Sequence, residues 1–294
     1  MRKLIFLLLF LIYPFVIHSQ SDWEPGNRMN QAISSLLLGY ESVLQSEEGK
    51  YLENYGFNSI SGSYLKMGEK SFIRTTLSKS TTYILMAGGD KSTFDVDIII
   101  KDENKNIIKR DIRNDKYAVV FFVPDYDGTY IIELSASGVT GKGFSVIAIL
   151  EEGTRSNLED IIAAIENMQG RWNQLTGKFD VSFASDPEAL DGDYSYRSFC
   201  WNGFYVDKAS SYGFNENGIT PNKSYLIMAT GDNNATSIYL YVKYDGKESW
   251  DKEHDTSPFV LFTPKSLKQY DFAAYNQNKS LRTFIITCLF EMAD

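Results

Sequence analysis

His254, Cys200 and Cys288 are the side chains of this sequence best suited to nucleophilic or soft-metal chemistry, and their number and spacing argue against both. One histidine in the polar stretch Trp250–Asp255 does not make a His-rich zinc site, and 88 positions between the cysteines (288 − 200) match no zinc-ligand spacing. A Cys200–His254 nucleophile–base pair is chemically conceivable, but no nucleophile-elbow glycines surround Cys200. In the internal repeat described below, the place of His254 is taken by Asn114. No catalytic residue, resident metal or cofactor is therefore expected.

Carboxylates are numerous but dispersed. Asp95 and Asp97 stand two apart on a strand and share one face, where they either hold a cation together or are simply solvated. The insert Asp186–Asp193 gathers three aspartates and a glutamate around a glycine, suggestive of calcium but without EF-hand spacing. No glycine-rich phosphate loop is present, because Gly88-Gly89 ends a strand and no helix follows it.

Aromatic residues are the richer signal. Phe199, Trp201, Phe204, Tyr205, Tyr212 and Phe214 crowd one segment. Exposed, rings such as Trp201, Tyr205 and Tyr212 would stack on sugar faces or form a protein-binding patch; buried, they would cover a sandwich edge or dock a helix.

The elements that must position these residues come in two copies. Tyr83-Ile-Leu-Met-Ala-Gly-Gly-Asp90 recurs 142 positions later (225 − 83) as Tyr225-Leu-Ile-Met-Ala-Thr-Gly-Asp232. At this offset Phe72 matches Phe214, Leu77 matches Ile219, and Val96, Ile98 and Ile100 match Ile238, Leu240 and Val242. At an offset of 140, Asp111, Asp115, Phe122, Tyr130 and Phe144 match Asp251, Asp255, Phe262, Tyr270 and Phe284. Met29, Ile33, Leu36, Leu37, Tyr40 and Leu44 mark one amphipathic helix before the first copy. Leu158, Ile161, Ile162, Ile165, Met168 and Trp172 mark a second, with Ser156 and Glu159 spaced as a capping box. Between helices, short apolar segments bounded by turn residues predict antiparallel strands at Phe72–Leu77, Tyr83–Ala87, Phe94–Ile100, Tyr117–Val123, Tyr130–Leu134 and Phe144–Leu150, returning from Ser224 to Glu291. The Gly49–Gly62 stretch reads as a polar connection, and Lys178–Tyr212 has no clean period. The expected fold is mainly β: two tandem antiparallel, jelly-roll-like sandwiches, each preceded by an amphipathic helix, over 21–153 and 154–294.

The order Tyr83, Phe94-Asp95-Val96-Asp97-Ile98, Phe122-Val123-Pro124, Gly128-Thr129-Tyr130 and Gly143–Leu150 resembles bacterial pre-peptidase C-terminal domains. The likeness covers Phe72–Leu150 and, more weakly, Phe214–Phe290, where Ser237 and Tyr239 replace Asp95 and Asp97 and Lys268 replaces the glycine before the tyrosine. The resemblance implies a small secreted β-sandwich that accompanies exported enzymes as a non-catalytic accessory module.

Arg2 and Lys3 followed by an apolar run from Leu4 to Ile17 and then Ser19, Gln20 and Ser21 read as a secretory signal peptide over 1–20. Cleavage after Gln20 would leave 274 residues (294 − 20) and take the formal charge from −9 to −11 by removing two cations. An acidic chain without a basic stripe disfavours nucleic acid, and no later segment is long and apolar enough to span a membrane. In an exported chain the two cysteines either pair as a Cys200–Cys288 disulfide or stay unpaired and buried as small apolar residues, as Ala148 does at the matching place in the first copy. The expected function is a periplasmic or extracellular binding module for a glycan or protein, with a secreted hydrolase and a structural subunit as the other two readings.

Overall fold

The computed structural model describes residues 24–45, 55–153, 158–179, 182–183, 195–207, 211–216, 219–253, 255–266 and 270–292. The segment 1–20, Ser156, the insert 186–193 and His254 lie outside them, as do the side chains of Trp172, Cys200 and Tyr212.

The first copy runs α1 (Glu24–Gln45), β1 (Tyr55–Lys66), β2 (Lys70–Leu77), β3 (Tyr83–Gly89), β4 (Thr93–Lys101), β5 (Ile107–Asp111), β6 (Tyr117–Phe122), β7 (Gly128–Val139) and β8 (Lys142–Glu152). The second runs α2 (Leu158–Phe179), the two-residue β9 (Ser182–Phe183), β10 (Ser195–Val206), β11 (Ser211–Glu216) and β12 (Tyr225–Gly231). It closes with β13 (Ile238–Tyr244), β14 (Lys247–Asp251), β15 (Phe259–Phe262), β16 (Tyr270–Asn276) and β17 (Thr283–Met292).

Each copy is an eight-stranded jelly roll. In the first, β1-β8-β3-β6 face β2-β7-β4-β5; in the second, β10-β17-β12-β15 face β11-β16-β13-β14. The two halves are not separate sheets. β1 pairs antiparallel with β10, so one nine-stranded sheet, to which β9 adds beside β10, runs through both copies.

That sheet is a middle layer, which explains the unbroken apolar runs in its strands. In β3, Tyr83, Leu85 and Ala87 join the core under the first four-stranded sheet, while Ile84 and Met86 join the core under the helices. In β8, Phe144, Val146 and Ala148 face the helices and Ile147 and Ile149 the other way. Both faces being covered, alternation is lost. In the outer sheets only one face is covered, and β4 and β13 alternate buried and part-exposed positions with Val96, Ile98, Ile100, Ile238, Leu240 and Val242 all at 0% exposure.

Helix stripes dock as their spacing predicts. Met29, Ala32, Ile33 and Leu36 of α1, and Ile161, Ala164, Ile165 and Met168 of α2, are buried in one core shared by both copies. Helices of this length are marginal alone and take their stability from such a face. Gly88 lets α1 approach: a Cβ there would lie 2.5 Å from the Leu36 backbone nitrogen and 2.8 Å from the Ala32 carbonyl oxygen. At the matching place under α2, Thr230 Oγ1 donates to the Ala164 carbonyl at 2.9 Å.

The repeat register holds through bonds that recur. Backbone N–H groups of Ser78 and Thr220 donate to the hydroxyls of Tyr83 and Tyr225. Those of Val119 and Phe259 donate to the carboxylates of Asp111 and Asp251, each at 2.9 Å. One expected match slips. Ile73 stands opposite Ile132 and Phe214 opposite Phe272, so Phe214 corresponds to Ile73, not to Phe72, which is 59% exposed. Two further corrections concern strands: the glycine-rich connection contains β1, and the aperiodic Lys178–Tyr212 stretch contains β10 and the start of β11.

Cys288 is not in a disulfide, and its thiol is buried, with Sγ 4.0 Å from the Leu289 carbonyl oxygen. β10 and β17 are neighbours, as first and last strands of a sandwich should be, but the register is one residue off for a bridge. Trp201 stands opposite Cys288, and Cys200 stands opposite Leu289.

Candidate ligand-binding face

The three aromatics singled out as ligand-facing do not form one surface. Trp201 is fully buried, because β10 lies in the middle of the nine-stranded sheet and its ring enters the helix-side core. Tyr205 is half-buried and engaged: its hydroxyl donates to Asp160 Oδ2 at 2.8 Å, its ring meets Phe284 edge-on at 4.9 Å, and the Arg282 guanidinium lies 4.5 Å from its centroid. Tyr212 takes a register position opposite Ala274, a buried residue.

A different aromatic surface is present, on the outer face of the second copy's four-stranded sheet. β13 sends Ile238, Leu240 and Val242 inward, which leaves Tyr239 and Tyr241 outward. Tyr239 stands opposite Tyr275 of β16, and Tyr241 opposite Trp250 of β14. Trp250 is therefore central, with its ring 4.4 Å from Tyr241 and 5.5 Å from Tyr275. It is 39% exposed, and Lys252 Nζ lies 4.2 Å from its centroid, a cation–π contact worth about 0.5–1 kcal/mol at a surface. The Tyr241 hydroxyl donates to Glu248 Oε1 at 3.3 Å; burial, and next the Glu248 charge, push its pKa up. The face thus combines ring planes with hydroxyl, ammonium and carboxylate groups at its rim. Alternation on β13 carried the signal for it in the sequence, but a Tyr-x-Tyr strand reads equally well as core.

The first copy carries other chemistry at the same places. Asp97, Ile99, Arg110 and Ser135 occupy the positions of Tyr239, Tyr241, Trp250 and Tyr275, so no ring is present at any of them. Glu133, 1% exposed, sits between Lys70 and Lys101 and is ion-paired to both, at 2.6 Å to Lys70. Burial opposes its ionisation, but hydrogen bonds from Lys101 and Lys70 outweigh that and hold its carboxyl below the ordinary range. Asp97 accepts from the Ser137 hydroxyl. Burial, then the neighbouring Asp97 charge, raise the pKa of Asp95.

Other titratable residues serve the architecture. Asp111, at the groove between β5 and β6, accepts from Arg113 Nη2 at 2.7 Å and from the Val119 amide. Its match Asp251 caps β15 in the same way, which marks both as joints between sheets. Among the described residues no group of three or more His, Cys, Asp or Glu side chains is placed to hold a metal, and no helix is long and apolar enough to cross a membrane.

Comparison with protein families and with curated proteins returns no match. Among solved structures, the M60 catalytic domain with the CBM51-1 and CBM51-2 domains from Clostridium perfringens ZmpB aligns over 76% of this chain and 34% of its own length, at 9% identity and a TM-score of 0.23. The chain spans about a third of that structure. The CBM22-1–CBM22-2 tandem of Paenibacillus barcinonensis Xyn10C aligns over 78% of this chain and 93% of its own, at 5% identity and 0.21. The major capsid protein P2 of bacteriophage PM2 aligns over 80% and 98%, at 9% and 0.23. Similarity at this level assigns no activity.

Proposed function

We propose that this protein is an exported, non-catalytic binding module whose ligand is a carbohydrate, held on the outer aromatic face of the second copy. The observation that carries the reading is the cluster of Trp250, Tyr241, Tyr275 and Tyr239. These part-exposed rings lie outside the core of their sheet, and their cross-strand packing contributes only about 0.2–1 kcal/mol per pair. Pyranose rings present axial C–H groups to such planes, and their hydroxyls bond to rim groups such as Glu248 and Asp271. A jelly roll leaves this face free, because the opposite face alone closes the core. Export is supported by the Arg2–Ile17 pattern, and an accessory role by the resemblance of Phe72–Leu150 to pre-peptidase C-terminal domains.

Binding to an immobilised polysaccharide array tests the reading. Trp250→Ala should lower affinity about tenfold or more, equivalent to roughly 1.4 kcal/mol, while the protein stays folded with a stability loss of about 1–2 kcal/mol from the ring and cation–π contacts removed. Undiminished binding in a Trp250→Ala/Tyr241→Ala double variant would move the site elsewhere.

A further inference from the structure

We propose that the matching outer face of the first copy is a second glycan site, selective for acidic sugars, so that one acidic polysaccharide chain engages both copies. The inference rests on the carbohydrate reading of the aromatic face. Lys70 and Arg74 of β2, Lys101 of β4 and Arg110 of β5 point outward here, against the carboxylates of Glu133, Asp97 and Asp95, a surplus of one positive charge on a chain of net charge −9. Glu133 is committed to Lys70 and Lys101, and Asp97 to Ser137. Arg74 and Arg110 are exposed and, among the described residues, have neither an ion-pair nor a hydrogen-bond partner. Guanidinium groups bind carboxylates and sulfates through paired N–H donors, which is what these two have to offer. Phe72, 59% exposed and opposite Glu133, stands between Lys70 and Arg74 along the strand and supplies the ring plane that a sugar needs.

Both faces lie on the same side of the nine-stranded sheet. The two helices share the core on one side, while the two four-stranded sheets close separate cores on the other. Twist of roughly 20–25° per strand turns the two faces relative to each other, which suits a chain that can follow the turn better than a flat surface. A polyanion is repelled by the molecule as a whole, so its retention would report a local cationic site.

Isothermal titration with polygalacturonate, carboxyl-reduced polygalacturonate, dextran sulfate and a phosphodiester-linked teichoic polymer tests this in full-length protein. At least one acidic polymer should bind about tenfold more tightly than the neutral one, and the three acidic arms identify carboxylate, sulfate or phosphate as the group recognised. Arg74→Ala/Arg110→Ala should erase that preference while leaving neutral-polymer affinity unchanged, and Arg74→Lys/Arg110→Lys should restore part of it. A preference for the neutral polymer, or an acidic preference untouched by the double alanine variant, overturns the second site; loss of binding in Trp250→Ala then still upholds the aromatic face. No binding to any of the four overturns this inference, and failure on the neutral array as well overturns both.

Discussion

Ser61 and Asn202 are equivalent positions in the two copies, and they stand directly opposite each other where β1 pairs with β10, with Ser61 Oγ donating to Asn202 Oδ1 at 2.7 Å. A pair of equivalent residues facing each other across antiparallel strands defines a local two-fold axis through the junction. The neighbouring pairs obey it: Ile60 faces Gly203, and Gly62 faces Trp201, which takes the place of Ile60 in the second copy. Tyr64 and Tyr205 meet Phe144 and Phe284 edge-on at 5.0 and 4.9 Å. A duplicated chain has joined its copies as a symmetric dimer would, edge to edge, and so removed two open sheet edges.

The junction depends on two glycines. A Cβ on Gly203 would lie 2.6 Å from Phe284 Cζ and 2.7 Å from Ile60 Cγ2, and one on Gly62 would lie 2.6 Å from Phe144 Cζ. These rings are fully buried and have nowhere to retreat. Gly203→Ala and Gly62→Ala should each destabilise by about 1–3 kcal/mol, read as a lower urea midpoint. Wild-type stability in both would mean that the rings are more loosely held than described.

The shared sheet and helix-side core make the copies one cooperative unit. Calorimetry should give a single transition whose van't Hoff and calorimetric enthalpies agree. Two resolved transitions, one per copy, would contradict a junction of this strength.

This junction is the part of the fold that was hardest to read. The strands with turn-bounded apolar runs, such as Tyr83–Gly89, were legible because burial on both faces writes itself as hydrophobicity. β1 and β10 are buried in the same middle layer, yet their sequences are YGFNSISGSYLK and SYRSFCWNGFYV, where glycine and serine replace side chains to make room for Phe144 and Phe284. A strand whose volume is supplied by its neighbours has no apolar signature of its own. For the same reason the sequence leaves Trp201 open to both a surface and a buried reading: nothing near it in the chain announces a central strand. The aromatic face was hidden differently, spread over β13, β14 and β16 and assembled only by pairing.

Acid should act on the first copy through Glu133. Its carboxyl, ordinarily titrating near 4.5, is lowered in the folded state, so its contribution is present above that value and is lost as pH falls through the folded pKa. Glu133→Gln should lower stability by about 1–3 kcal/mol near pH 7, because it leaves Lys70 and Lys101 without their shared carboxylate. The gap between variant and wild type should shrink as pH falls through the lowered folded pKa, where wild-type Glu133 is itself neutralised. Denaturation midpoints of both proteins across that range check the sign, and a gap that widens toward acid would reverse the assignment.

Cys288 supplies the last test, because its place in the first copy is held by Ala148. Each sits opposite a methionine on the neighbouring strand, Cys288 beside Met228 and Ala148 beside Met86, and each is fully buried on the helix side. The thiol therefore behaves as a small apolar group filling a space that the first copy closes in another way. Cys288→Ala should cost little, about 1 kcal/mol, since only one sulfur atom's packing is removed. Cys288→Ser, closer in shape, should cost more, about 1–3 kcal/mol, because it buries a hydroxyl among Trp201, Met228 and Phe290. In folded protein the thiol should resist a thiol reagent such as dithionitrobenzoate and react on denaturation without prior reduction. A serine variant as stable as wild type, or a residue 288 that yields no thiol until reductant is added, would show that the position is polar or bridged after all.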